Sequence, residues 1–198
     1  TLEEPAFNFN LPLYLHCNKQ MKEQGVKVTL SGDGGDELFA GYHKYHREFE
    51  VEPSSKNVSL RKIMDQIWEK PLFLKMAPGY SWNYEQCKKH LIKIMRPYYN
   101  KNDWYNSWLA SDVLDMSHRY FMRNDKFSMS QSMEGRFPLM GKKLRQYAYN
   151  IPSRWKYNKG VKYALRQAMQ SHFPRELFYK EKTGWSLPSA QWINNSKR

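Results

Sequence analysis

The stretch Ser31-Gly32-Asp33-Gly34-Gly35-Asp36-Glu37-Leu38-Phe39-Ala40-Gly41-Tyr42 constrains the fold more than any other part of the chain. It joins a glycine-rich turn to three carboxylates directly after Val26-Lys27-Val28-Thr29-Leu30, a β-branched run that follows Gly25 and reads as a buried strand. Leu38, Phe39, Tyr42 and Tyr45 recur at helical spacing, so the turn is expected to feed an amphipathic helix beginning near Asp36 or Glu37. Strand, loop and helix in that order belong to an open α/β sheet, where ligands bind beyond the carboxyl ends of the strands.

Gly32, Gly34 and Gly35 can take positive φ and turn their amides toward an anion beside a helix N-terminus. Asp33, Asp36 and Glu37 would repel a bare phosphate. They make sense together if Mg²⁺, a hard cation that seeks oxygen, sits between them and the phosphates. A tight strand-to-helix turn with Asp36 as N-cap explains the same residues without a ligand. The string lacks the third glycine of G-x-G-x-x-G and the ligand spacing of an EF-hand, which excludes both readings.

A length of 198 residues with 40% hydrophobic and 16% aromatic content fits one globular domain and excludes a disordered chain. No signal peptide or long apolar span points to secretion or a membrane, so a cytoplasmic location is expected. Cys17 and Cys87 form neither a disulfide framework nor a metal cluster. The net charge of +13 favours anionic partners, yet pairs such as Lys88-Lys89 and Lys142-Lys143 read as solvated helix faces.

Pro12, then Leu13, Tyr14, Cys17 and Met21, then Gly25 as a stop predict a helix leading into the strand. Residues 1–50 are thus expected to be the end of a nucleotide-binding α/β core, and residues 51–198 a helical part beyond the loop at 51–57. Helices are expected at 58–69, 83–94, 103–122, 125–134, 139–150 and 161–171. Because one strand cannot form a sheet, the remaining strands are expected upstream or in another chain.

Three further stretches carry possible chemistry. In Lys180-Glu181-Lys182-Thr183-Gly184-Trp185-Ser186-Leu187-Pro188, a lysine two residues before a glycine and an aromatic ring can hold an ammonium over a pyrophosphate. A plain surface loop is the alternative. Residues 123–138 suggest a helix capped by Asn124 or Asp125 and ended near Gly135 to Pro138, with Met129 and Met133 on one buried face. Glu134 and Arg136 there either pair structurally or orient a substrate. Tyr98, Tyr99, Trp104, Tyr105 and Trp108 form a mix able to stack bases, but helix packing suits Trp104, Trp108 and Val113 better. The histidines at 43, 46, 90, 118 and 172 have no spacing for a metal or a triad.

Residues 31–42 closely resemble the second signature of asparagine synthetases, Ser-Gly-(Asp/Glu)-Gly-x-Asp-Glu-(Leu/Val)-Phe-x-Gly-Tyr. Residues 125–138 resemble the same family's downstream helix, and Lys182-Thr183-Gly184-Trp185 with Pro188 its C-terminal lysine loop. Three signatures in the family's order are more specific than any one. The resemblance implies the pyrophosphatase-loop ATPase fold, an adenine-nucleotide α-hydrolase-like and Rossmann-like α/β type, of which this part is mostly helical with about one parallel strand. It implies a synthetase that activates a carboxylate with ATP as an acyl-adenylate, releases pyrophosphate and lets glutamine-derived ammonia form the amide, aspartate becoming asparagine.

By the same resemblance Asp36 binds Mg²⁺-pyrophosphate, and Gly32 approaches the nucleotide phosphate through its backbone, with Ser31 and Gly34 in the same loop. Asp33 stands where the family handles the substrate or the attacking amine, Lys182 neutralises departing pyrophosphate, and Glu134 shapes the acceptor pocket. Tyrosine at the position of Asp33 in related β-lactam-forming enzymes makes amide formation the better match. The family's first Ser-Gly-Gly-x-Asp-Ser loop and its glutaminase domain are absent from this sequence. A C-terminal part of a synthetase domain, with negligible activity alone, is therefore expected. Gly135, Leu139, Met140 and Gly141 replace the usual Val or Ala, Phe, Leu and Asp, so an acceptor other than aspartate, such as a uronic acid, is the alternative within the class. A basic nucleic-acid-binding module is the alternative outside it. Oligomers are compatible with either.

Overall fold

A computed structural model describes residues 10–42, 89, 92–93, 95–99, 103–116, 120–158 and 160–180. The chain divides into two compact units, one of residues 1–33, 117–138 and 169–198, the other of residues 34–116 and 139–168. The division falls between Asp33 and Gly34, inside the glycine-rich signature. The helices expected at 58–69 and, for most of its length, 83–94 lie outside the described residues, as does the boundary expected at residue 50.

In the first unit, helix α1 (Leu11–Glu23) begins with Pro12 in its first turn and ends as the sequence predicts. Gly25 takes a φ of 78°. The Val26 amide bonds Met21 O at 3.1 Å and the Gly25 amide bonds Lys22 O at 2.9 Å, the paired bonds of a Schellman turn. Strand β1 (Val28–Leu30) follows.

A second strand, which the sequence does not announce, pairs with β1. Strand β2 (Glu134–Arg136) lies parallel to it in the register Val28–Glu134, Thr29–Gly135, Leu30–Arg136. This corrects the expectation of a single strand and of a helix reaching residue 134. The preceding helix α4 (Met122–Met129) stops because Ser132 adopts a φ of 55°, a conformation glycine usually supplies. The Met133 amide then bonds Ser128 O and the Ser132 amide bonds Met129 O, both at 2.9 Å, which closes another Schellman turn. The expected shared face of Met129 and Met133 is lost with it: Met133 is 1% exposed and Met129 58%. A Cβ at Gly135 would stand 3.0 Å from Ser128 Oγ, so a larger residue there would require the serine side chain to shift by a few tenths of an ångström. β1 leaves Val28 46% and Leu30 73% exposed, and two strands alone are a marginal sheet.

In the second unit, helix α2 (Gly35–Phe39) starts within a residue of its expected position but is short. Ala40 takes a left-handed φ of 57° and the Gly41 amide bonds Asp36 O at 2.8 Å, so the helix ends before Tyr42. This corrects the run expected through Tyr42 and Tyr45. Left-handed alanine costs on the order of 1 kcal/mol. Its methyl is fully buried among Trp104, Tyr105, Trp108 and Leu109, a contact that offsets the strain.

Helix α3 (Trp104–Met116) supplies that aromatic cluster, where the rings of Trp104 and Trp108 stack at 6.3 Å. Trp104, Tyr105 and Trp108 are therefore core residues and offer no open face to bases. Helix α3 covers residues 104–116 of the helix expected over 103–122, and α4 takes the place of the one expected over 125–134, starting three residues earlier. Asp103 caps α3 by accepting the Asn106 amide at 3.3 Å. A second cluster packs Leu38, Phe39 and Val113 against Ala148 of α5 (Lys142–Asn150). Helices α6 (Ser153–Lys156) and α7 (Tyr163–Met169) follow, and α8 (Arg175–Tyr179) lies beyond them in sequence. No helix among the described residues is long and apolar enough to cross a membrane.

Candidate functional site

The three carboxylates of the signature go to three different environments. Asp33 lies at the end of β1, in the first unit. Its Oδ2 accepts the Ser31 hydroxyl at 2.7 Å and the Asn124 side-chain amide at 3.3 Å. Leu11, Tyr14, Asp33, Tyr120, Arg123, Asn124 and Phe127 line a half-open hollow there. The rings of Tyr14 and Phe127 lie parallel, 6.4 Å apart. Burial, then the Asp33 charge, raise the Tyr14 hydroxyl above its ordinary value.

Asp36 and Glu37 belong to the second unit. Asp36 Oδ1 lies 3.0 Å from Lys162 Nζ, both side chains being roughly three-quarters buried. Lys162 holds a φ of 55°, a strained value for a residue with a Cβ and of the kind that clusters at functional positions. Glu37 is buried and accepts the Tyr42 hydroxyl at 2.6 Å. Burial raises its pKa, while the Tyr42 bond acts in the opposite direction.

The geometry around Asp36 is tight because glycines permit it. Gly34 takes a φ of 90° with the Met140 side chain against its Cα, and Gly35 opens α2 with Leu139 Cδ1 3.0 Å from where a Cβ would be. Of the three glycines able to take a positive φ in this turn, Gly34 does so. Met140 and Leu139, two departures from the family pattern, thus pack on the signature glycines. Gly41 is the most constrained: a Cβ there would overlap the Asp36 carboxylate and the Lys162 stem. Gly41→Ala is expected to push the pair apart and to destabilise the protein by about 1–3 kcal/mol. Thermal unfolding checks this, and an unchanged midpoint would count against the arrangement.

Among the described residues, no three His, Cys, Asp or Glu side chains come together to hold a metal ion. Within its own unit, Asp33 is tied to Asn124; within the other, Glu37 is tied to Tyr42 and Asp36 stands with Lys162. A single carboxylate still fits Mg²⁺ that arrives on phosphates, because Mg²⁺ keeps several waters and takes only one or two protein carboxylates.

Glu134 lies on exposed β2, where Arg136 grips it through two 2.9 Å bonds and lowers its pKa. It pairs in register with Val28, two residues short of the strand end, and does not line the hollow of Asp33. Gly32 is exposed, with open space around its Cα. Lys182 lies outside the described residues. Two residues that the sequence reading passed over, Lys162 and Arg123, stand beside Asp36 and in the hollow of Asp33. Neither is marked by a motif, since each is more than 80 residues from its carboxylate along the chain.

The family model of asparagine synthase matches residues 1–198. Among curated proteins, the chain is 27% identical to asparagine synthetase [glutamine-hydrolyzing] 1 of Bacillus subtilis, over 98% of this chain and 35% of that protein. It is 29% identical to asparagine synthetase [glutamine-hydrolyzing] 3 of the same organism, over 83% of this chain and 27% of that protein. A putative asparagine synthetase [glutamine-hydrolyzing] of Mycobacterium tuberculosis matches at 26% identity over 97% of this chain and 34% of its own length. The chain thus spans about a third of these relatives. No solved structure matches it. A family match over the whole length agrees with a signature that leaves β1 at its carboxyl end and sets Asp36 beside a lysine: the chain belongs to the asparagine synthase family.

Proposed function

We propose that this chain is the later part of the ATP-dependent half of an amide-forming ligase, which activates a carboxylate as an acyl-adenylate, releases pyrophosphate and receives ammonia from glutamine. Aspartate is the first acceptor to expect. The observation that carries the reading is the signature at 31–42 within a whole-length family match, with Asp36 held beside Lys162. The names of the relatives support the reaction class.

In this reading Asp36 takes the Mg²⁺ that accompanies the phosphates, and Mg²⁺ supplies charge neutralisation for pyrophosphate. Lys162 fixes the Asp36 carboxylate from one side and adds positive charge for the phosphates. Gly32, exposed and unobstructed, lets the backbone approach a phosphate, with Ser31 and Gly34 shaping the turn. Asp33 faces the acceptor or the amine. Lys182 neutralises pyrophosphate as it leaves, and Glu134, paired with Arg136, shapes the protein around the acceptor from β2.

Acceptor-dependent pyrophosphate release by the full-length protein, with aspartate compared with uronic acids, tests the reaction and its substrate. Release with neither would remove the proposal, and release only with a sugar acid would move it to polysaccharide amidation. Lys182→Ala is expected to abolish release, because neutralising a developing anion is usually the largest single contribution to catalysis. Near-normal release would overturn the role of Lys182.

A further inference from the structure

The positive charge of the chain is not spread evenly. Between Glu134 and Glu176 stand ten of the 32 lysines and arginines and no Asp or Glu, while the rest of the chain holds 22 basic against 19 acidic residues. An ordinary solvated helix face mixes both signs, and this stretch does not. The structure sorts its charges. Arg136 pairs with Glu134, Lys162 with Asp36, and Lys156 is buried against Asn106. Lys142 and Lys143 of α5 and Arg154 of α6 are exposed, and among the described residues no carboxylate pairs with them. Two aromatic rings accompany them. Tyr147 stands one turn after Lys143 on α5, and Trp155 directly follows Arg154 on α6. Both are at least half exposed, unlike Trp104, Tyr105 and Trp108.

The helices that carry these side chains are well anchored. α5 turns its apolar side inward, Ala148 and Leu144 packing with Leu38, Phe39 and Val113. Only Ile151 and Pro152 separate α5 from α6, and that junction is tied down: Asn106 donates to Ile151 O and Asp103 accepts the Ser153 amide. We infer that the exposed side of α5 and α6 is a docking surface for single-stranded nucleic acid, with Lys142, Lys143 and Arg154 meeting phosphates and Tyr147 and Trp155 stacking on bases. Such binding is a function additional to the proposed ligase reaction. Phosphate contacts supply affinity without regard to sequence, and every base has a face that a ring can stack on. A membrane surface fits less well, because it would need the apolar side of α5, which the core already uses. A second copy of this chain would bring like charge against like. An acidic protein segment would answer the lysines but offers no flat base to each ring.

Fluorescence anisotropy of a labelled oligothymidylate, titrated with the full-length protein over a range of salt concentrations, reads the binding. Log affinity is expected to fall by about two units per decade of salt, the slope for three phosphate contacts on a single strand. Replacing Lys142, Lys143 and Arg154 together with glutamine is expected to flatten that slope and to weaken binding at least about tenfold at low salt. Tyr147→Ala and Trp155→Ala are each expected to weaken it about tenfold while leaving the slope unchanged, the signature of lost stacking. All five side chains are exposed, so the thermal midpoint should not move, which separates a lost contact from a damaged fold. Poly-L-glutamate, which carries charge but no bases, should compete more weakly than unlabelled oligothymidylate and be indifferent to the ring substitutions. No binding of the oligonucleotide at low salt, or binding that neither set of substitutions changes, would overturn the proposal. Tighter binding of poly-L-glutamate, with the rings immaterial, would also overturn it and give the surface to an acidic protein.

Discussion

Replacing Asp36 with asparagine in the full-length protein is expected to cut acceptor-dependent pyrophosphate release by at least about 100-fold, the scale seen when one preorganised charge contact is removed from an active site. The substitution is nearly isosteric. Asparagine keeps an oxygen for Lys162 at the same 3.0 Å position and adds no atoms against Gly41. Only the negative charge disappears, and with it the capacity to hold a phosphate-bound cation. Stability should change by no more than about 1 kcal/mol, because an ion pair still partly open to solvent contributes little. Pyrophosphate release and thermal unfolding measured on the same variant therefore separate the two roles. A fall of less than about threefold, with the fold intact, would show that Asp36 serves the Lys162 contact alone.

The second large effect concerns Lys156, the charged end of a buried network in the second unit. Its side chain is fully buried, and Nζ donates to Asn106 Oδ1 at 2.6 Å. Asn106 in turn donates to Asp103 Oδ2 and to Ile151 O, each at 2.9 Å, and Asp103 accepts the Ser153 amide at 3.0 Å. The chain of bonds ties the start of α3 to the turn entering α6. Burial lowers the Lys156 pKa to about 7, with the Asp103 charge acting in the opposite direction.

The sign of the pH effect follows from proton counts. Between pH 7 and the ordinary lysine value of 10.5, the unfolded chain holds a proton that folded Lys156 has lost, so stability rises with pH across that window. As pH falls through the window the stabilisation is lost, and below about 7 the loss is complete. The full difference is on the order of 4–5 kcal/mol. Lys156→Met, which fills similar space without a charge, should abolish this slope. Unfolding free energies of wild type and variant between pH 7 and 9.5 provide the check, since other lysines and tyrosines titrate alike in both. Parallel curves would show that Lys156 is not the group responsible.

Helix ends show most clearly what could be read without coordinates. Among the described residues, three helices close with a residue in the left-handed region: Gly25, Ala40 and Ser132. Only the glycine was legible, because only glycine adopts that conformation without strain. Ala40 is held there by the aromatic cluster from α3, more than 60 residues away in sequence. Ser132 is held there by the turn that delivers Met133 to the interior and Glu134 to β2. The helices accordingly end at Phe39 and Met129, earlier than spacing predicts, and β2 begins at Glu134, where the predicted helix has its last residue. A three-residue Glu-Gly-Arg strand carries neither alternation nor β-branching, and its pairing with β1 is decided by backbone hydrogen bonds alone.

The sequence by itself determined the α1–β1–turn–α2 order, the glycine stop at Gly25, the aromatic packing stripe of α3 and the family signature, since each depends on neighbours within a few turns of chain. Tertiary structure alone decided which partner each of the signature's three carboxylates takes. Asp33 meets Asn124, Asp36 meets Lys162 and Glu37 turns inward to Tyr42. Local spacing sets which side chains leave a turn together. Which partner satisfies each charge depends on residues up to 126 positions away, brought close by burial of the apolar faces between.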